Sequence, residues 1–536
     1  MNLEEALRGF HAQLRAGDIA SGYQLLEQQL QHAASTPQDW DRAMQAMLQA
    51  GVPGAAAALG EQALSRFPHD LELRCQFGNA LRMTGEIQAA ERELRAVLSA
   101  RPQHQNAAVS LAHLLRGEGR MHAAVTVMIK HLPATPAPET LLAAIVFVRE
   151  CDQPQQAMQL VQQGLAQDAE NLELHTIAGE LALELGRFEQ ARVQFRRTLG
   201  SPSYQQRGWL RLATTHRFVS LDDPDYGLLK QAQERDDLED LSRAAVYFAL
   251  AKADADLGQL EEAAAGLRVA NRIMRRVSDW SANGYQAFVD GQIARPLPVT
   301  VSRVPELQAV LIVGLPRTGT TLAASLLARH PQVKVRGELN WLSGLAVQIE
   351  TGGRDPAQMN QAATIYAAQL RRDDEPVPCY VDKNPLNFRH LGLAEALLPN
   401  LRVIHCVRDA RATALSLWRQ MFAHEDNGYA YDFRDIASFA RGERQLMQHW
   451  YDTLQRPFFE LHYEALVSDT PAVLRQLYEF LGLDPLTEAI SNQPDPDSVR
   501  TASVWQVRQK IHTEAIQAWR DWLPYVPELT EYFPET

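Results

Sequence analysis

A chain of 536 residues has room for roughly two to four domains. It is 46% hydrophobic and 22% charged, the balance of a soluble globular protein, and its net charge of −13 argues against general nucleic-acid binding while leaving room for a local basic cleft. Cys75, Cys151, Cys379 and Cys406 lie far apart, without metal-type spacing, and read as free thiols of a reducing compartment.

The opening stretch, MNLEEALRGFHAQL, is acidic and amphipathic and has neither the basic nor the apolar segment of a secretory signal. No run approaches the length of a membrane span, so a cytoplasmic protein is the expectation. The first half then repeats itself. Gly51, Gly85 and Gly119 are spaced by 34 residues, each followed at fixed distances by an alanine (Ala56, Ala90, Ala124) and a proline (Pro68, Pro102, Pro136). Looser copies start at Asp152, Gly186 and Gly258. Ile87, Ala90, Leu94 and Val97 fall on one helical face, the alanines let paired helices approach, and each proline ends a second helix. This period resembles the tetratricopeptide repeat and predicts an α-solenoid over residues 1–275, with an irregular copy at 201–240.

Residues 276–305 carry Trp280, Gly284, Gly291, Pro296 and Pro298 without sustained period and read as a connector. Over 306–536, strand candidates alternate with helical stretches at Ala309–Val313, Cys379–Asp382, Leu401–Val407 and Phe458–His462. Alternation of this kind predicts an α/β domain with a parallel sheet.

The stretch AVLIVGLPRTGTTLAASLLARHP, residues 309–331, reads as buried strand, Gly-rich turn and helix. That geometry aims backbone N–H groups and a helix dipole at a phosphate. The spacing is P-loop-like: Gly314, Gly319 and Thr321 fit G-x-x-x-x-G-K-[ST], but Thr320 stands at the lysine position and the loop's cation is Arg317. Triphosphate chemistry is poorly supported without that lysine, whereas a planar, bidentate Arg suits a single phosphate or a sulfonate. Three further segments offer partners. Arg408 follows an apolar strand, with Ser416 eight residues on in a helix, so the two could share a second anionic group, unless Arg408 pairs with Asp409. Glu338, shortly after the loop's helix, has the chemistry of a general base, or of a solvated or paired glutamate. Lys383, at a strand end before Asn384-Pro385, could stabilise a leaving phosphate.

Together these residues resemble a sulfotransferase that uses 3'-phosphoadenosine 5'-phosphosulfate (PAPS), over about residues 306–525. The pattern is similar to the tyrosylprotein sulfotransferase branch, especially bacterial relatives fused to tetratricopeptide repeats. The resemblance implies that Arg317, Thr318, Gly319, Thr320 and Thr321 hold the 5'-phosphosulfate and that Arg408 and Ser416 hold the 3'-phosphate. It implies Glu338 as the base, Lys383 and Arg317 as stabilisers of the leaving group, and Tyr463 of LHYEAL as a nucleotide contact. Ser503, with Gln506 beside it, matches the late serine near the transferring group. No metal is required. The family's further arginine, four residues after the phosphate-binding serine, is Gln420 here, with Arg419 one residue early, and a basic residue before the late Trp is replaced by Ala518. The expected reaction is sulfuryl transfer to a hydroxyl of a protein or peptide, tyrosine being the narrower expectation, with the repeats recruiting acceptor or partner. A small-molecule or saccharide acceptor, and a repeat scaffold with a degenerate nucleotide domain, are the alternatives.

Overall fold

The computed structural model describes residues 2–32, 34–298, 307–352, 356–373, 375–422, 425–486 and 514–534. It divides into two compact units, residues 1–153 and 154–536. In the first, helices come in pairs: Leu3–Arg15 with Ile19–Leu30, Pro37–Gln49 with Pro53–Arg66, Leu71–Thr84 with Ile87–Ala100, and Gln105–Gly117 with Met121–Lys130.

The 34-residue period has a backbone cause. Gly17, Gly51, Gly85 and Gly119, each in the turn inside a pair, have φ between 73° and 86°, the left-handed region that glycine enters without a Cβ penalty. Gly17 extends the series one repeat upstream of the anchors visible in the sequence. Asp152 (φ 63°), Gly186 (φ 71°) and Gly258 (φ 80°) have the same conformation after later helices. The alanines Ala56, Ala90, Ala124, Ala157, Ala191 and Ala263 are all fully buried. Small residues also set the helix spacing: a Cβ on Gly179 would stand 2.6 Å from the Phe195 ring.

The second unit continues with Pro154–Gln167, Leu172–Glu184 and Phe188–Thr198. The irregular stretch forms two short helices, Gln205–Leu212 and Pro224–Gln233, and the series closes on the long pair Asp240–Asp256 and Leu260–Val277. The stretch expected to be a connector contains a helix, Ala282–Ala294. Ser281 caps it by accepting from Gly284 N at 3.2 Å. Its Tyr285 and Val289 bury against Gly442 of the Phe433–Thr453 helix. Tertiary packing rather than periodicity makes this segment helical.

The sheet has five parallel strands: β1 (Gln308–Gly314), β2 (Val333–Val335), β3 (Cys379–Asp382), β4 (Arg402–Val407) and β5 (Phe458–His462), in the order β2-β3-β1-β4-β5. β2 is too short for its alternation to show in the sequence. β1 is buried along its length except at its first residue, as a parallel strand covered on both faces must be. One covering core joins Val310, Ile312, Ile404 and Cys406 to Leu326, Leu327, Leu474 and Leu477. Chain order reverses about β1, which places a crevice at the carboxyl ends of β1 and its neighbours, where ligands of open α/β sheets bind. Among the described residues, no helix is long and apolar enough to cross a membrane.

Gly179→Ala forces a methyl group into the Phe195 ring. It should cost about 1–3 kcal/mol of stability, read as a lowered thermal unfolding midpoint. An unchanged midpoint would mean that the glycine does not set this helix spacing.

Candidate active site

The loop after β1 is shaped by two glycines and a strained arginine. A Cβ on Gly314 (φ 134°) would strike the carbonyl oxygen of Cys406 on β4. One on Gly319 (φ 94°) would lie 2.5 Å from the ring of Tyr463. Thr318 folds back to donate to the carbonyl of Leu315 at 2.7 Å. Arg317 itself takes φ 75°, a left-handed conformation that costs a non-glycine residue about 1–2 kcal/mol. Gly319 then starts the Thr320–Leu327 helix, whose N-terminus has no side-chain cap, while Thr318 and Thr320 are buried beside it and Thr321 half-buried.

Across the crevice, β4 delivers Arg408, and the helix that follows it, Ala410–Trp418, delivers Ser416. Arg317 Nε donates to Ser416 Oγ at 2.9 Å, and Arg408 donates to the Arg317 carbonyl at 3.1 Å. The Arg408 guanidinium lies 4.3 Å over the ring of Tyr463, the first residue of the Tyr463–Ser468 helix. Asp409 is occupied as the cap of the Ala410–Trp418 helix, accepting from Ala412 N at 2.9 Å. Burial, together with the positive charges of Arg408 and Arg419, pushes the Arg317 guanidinium down to about 10. Burial is the larger cause, and a guanidinium held out of water beside two other positive charges marks this loop as a candidate anion site. Arg419, off register in the sequence, reaches this field while its guanidinium sits 4.6 Å over the Trp522 ring.

On the other side of β1, at the end of β3, Lys383 Nζ donates to the carboxylate of Glu338. The Lys383 side chain is 3% exposed and that of Glu338 43%, so the ammonium is fixed while the carboxylate faces the opening. Backbone bonds hold the two segments together: Arg336 N to Val381 O at 2.8 Å and Lys383 N to Gly337 O at 2.8 Å. The fold thus brings Arg317, Thr318, Gly319, Thr320, Thr321, Arg408, Ser416 and Tyr463 into one cluster, and pairs Glu338 with Lys383 at the neighbouring strand end. Ser503 and Gln506 lie outside the described residues. The thiols offer no nucleophile, since all four cysteines are buried and burial raises Cys75, Cys379 and Cys406.

Asp382 was not legible from the sequence as a site residue. It is fully buried, and its Oδ1 accepts from Leu339 N at 3.2 Å, the residue after Glu338. Its Oδ2 accepts from Tyr366 Oη at 2.7 Å and Asn387 Nδ2 at 2.9 Å. The only hint in the chain is an acid within an apolar strand, directly before Lys383. Burial pushes its carboxyl up to about 7, against the pull of Tyr366, Leu339, Asn387 and Lys383. An unfolded aspartate titrates near about 3.9. Between those values the folded chain keeps a proton that the unfolded chain has lost, so this contribution to stability falls as pH rises from about 4 through about 7. Asp382→Asn keeps an acceptor for Leu339 and donates its amide to the Tyr366 hydroxyl oxygen, while the bond from Asn387 Nδ2 is lost. Denaturant unfolding at about pH 5 and about pH 8 should therefore show the variant gaining on the wild type at the higher pH. A pH-independent difference would remove Asp382 as the source.

The description "Sulfotransferase family" belongs to the family model matched by residues 309–488, and "Tetratricopeptide repeat" to that matched by residues 47–112. An uncharacterized protein from Aquifex aeolicus is 27% identical over 317 residues, covering 55% of this chain and 42% of that protein. A protein-tyrosine sulfotransferase from Drosophila melanogaster is 25% identical over 252 residues, covering 41% of this chain and 48% of that protein. The matches thus span less than half the length of these two relatives. The solved sulfotransferase domain of the Synechococcus PCC 7002 olefin synthase aligns with 45% of this chain and 99% of that domain, at 19% identity and a TM-score of 0.31. The chain carries a domain of the sulfotransferase family together with tetratricopeptide repeats.

Proposed function

We propose that this chain transfers a sulfuryl group from PAPS to a hydroxyl of a protein or peptide, with tyrosine as the favoured acceptor. The observation that carries the reading is the arrangement about β1: a guanidinium cluster built on Arg317, Arg408 and Ser416 on one side, and the Glu338–Lys383 pair on the other. A guanidinium cluster beside the uncapped N-terminus of the Thr320–Leu327 helix suits a nucleotide that carries more than one anionic group. Thr320 in place of a P-loop lysine disfavours a triphosphate.

PAPS supplies the activated sulfuryl group as a mixed phosphate–sulfate anhydride. The loop backbone, the open end of the Thr320–Leu327 helix and Arg317 hold the 5'-phosphosulfate, while Arg408 and Ser416 hold the 3'-phosphate. Tyr463 supports Arg408 through its ring. Glu338, on the exposed side of its ion pair, accepts the acceptor's proton. The acceptor oxygen forms its bond to sulfur as the bond from sulfur to the bridging phosphate oxygen breaks, leaving 3',5'-adenosine bisphosphate. Lys383 has three N–H donors, so it can hold Glu338 and also meet charge appearing on the leaving phosphate. A phenolic acceptor, with a pKa near about 10, needs less from the base than an aliphatic alcohol does. The repeats provide helix pairs of the kind that present extended peptide-binding surfaces, which supports a protein or peptide acceptor.

Calorimetric titration of 3',5'-adenosine bisphosphate, without metal, should show binding that weakens about ten- to hundredfold in Arg317→Ala and in Arg408→Ala. Binding indifferent to both changes would sink the nucleotide assignment. Glu338→Gln should lower transfer from PAPS to a tyrosine peptide by at least about a hundredfold, with bisphosphate affinity held within about threefold. Undiminished turnover in that variant would remove Glu338 as the base.

A further inference from the structure

The Ala410–Trp418 helix that carries Ser416 ends against the repeat series. Its last residue, Trp418, has a backbone carbonyl that the helix cannot satisfy, because the helix stops there. The donor comes from Asn271 in the Leu260–Val277 helix: Asn271 Nδ2 lies 2.9 Å from the Trp418 carbonyl and 2.9 Å from the carbonyl of Leu267 in its own helix. One turn earlier, Arg268 holds its guanidinium 5.9 Å over the Trp418 ring. It also donates to the Tyr525 carbonyl at 3.0 Å and to Glu528 at 3.0 Å. That ties down the segment whose Trp522 lies under the Arg419 guanidinium. Ser416 and Arg419 therefore flank a carbonyl whose side-chain donor is supplied by a repeat helix.

Asn271 is a poor choice for packing alone. It is 2% exposed, and its Oδ1 is buried without a hydrogen-bond partner among the described residues. A buried amide with an unmet acceptor is destabilising where an apolar side chain of similar volume would not be. Its amide bonded to the Trp418 carbonyl points to the orientation of that helix end. Asp256, at the end of the neighbouring Asp240–Asp256 helix, adds a negative charge that acts favourably on Arg419. Both helices of the last pair thus address the same few residues.

We propose that the Leu260–Val277 helix is a working support of the nucleotide site: Asn271, through the Trp418 carbonyl, positions Ser416 for the 3'-phosphate. The inference rests on the nucleotide assignment made above and extends it to the Leu260–Val277 helix, which supports the anion site through the end of the Ala410–Trp418 helix. Asn271 is a positioning residue and touches no ligand itself.

The test is calorimetric titration of the full chain with 3',5'-adenosine bisphosphate and with 5'-adenosine monophosphate at one salt concentration. The readout is the ratio of the two affinities, which isolates the 3'-phosphate. Asn271→Leu should lower that ratio about three- to tenfold, with monophosphate affinity held within about twofold, and Arg268→Ala should lower it in the same direction. A ratio unchanged in both variants, or equal weakening of both nucleotides, would overturn the inference and leave Asn271 as a structural residue. If Asn271→Leu fails to fold by circular dichroism, Arg268→Ala decides by the same criterion. A wild type that gains nothing from the 3'-phosphate overturns the nucleotide assignment itself, and this inference with it.

Discussion

Like charges at the carboxyl ends of β1 and β4 have to be held near one another against their own repulsion. Arg317 and Arg408 are joined by a hydrogen bond from one guanidinium to the other residue's carbonyl, and Arg419 adds a third positive charge to the same field. In a chain of net charge −13 this concentration does not follow from composition. It is maintained by covalent geometry and packing. Gly314 and Gly319 let the loop pass close to Cys406 and Tyr463, and Arg317 is held in a left-handed backbone conformation. The Tyr463 and Trp522 rings offer their faces to two of the guanidiniums.

The opposite side of β1 works on the reverse principle. Lys383 is buried and paired, and the partner carboxylate, Glu338, stays open to the crevice. Asp382 sits beside both, with three donors turned toward it and, among the described residues, no cation bonded to its oxygens. Its role is geometric: it fixes the backbone of the residue after Glu338 and, as the residue before Lys383, the start of that turn. Tyr366, from the Pro356–Arg371 helix, and Asn387 hold it in place. The Glu338–Lys383 pair, at the end of β3, and the guanidinium cluster, at the ends of β1 and β4, thus occupy neighbouring strand ends of one sheet.

The repeat period shows how a pattern becomes structure. The glycines at 51, 85 and 119 recur because a left-handed residue is needed in the turn inside each helix pair, and the alanines recur because fully buried helix contacts leave no room for larger side chains. Both causes are local, so both can be read from the chain. The Ala282–Ala294 helix is different. It lacks a sustained apolar face, and it exists because Tyr285 and Val289 find a shallow place beside Gly442. Asp382 and Asn271 escaped the sequence for the same kind of reason, and Arg419 showed there only as an arginine one residue out of register. Their partners are remote along the chain, as with Asn271 and Trp418, or depend on a turn whose exit direction the sequence does not state.

By itself the sequence determined the helix pairs of the first half and the alternation of strand and helix in the second. It also determined the P-loop-like turn after the first strand, whose cation is Arg317 and in which Thr320 stands at the lysine position. These are properties of short windows, where glycine, apolar period and charge act on their own neighbours. Only the tertiary structure decided that β1 lies between β3 and β4, and so which strand ends share a crevice. It alone paired Glu338 with Lys383, placed Asp382 beside them, and set the last repeat helix against the end of the helix carrying Ser416. Such contacts depend on strand order and on helix ends meeting across long stretches of chain, and no local preference encodes either.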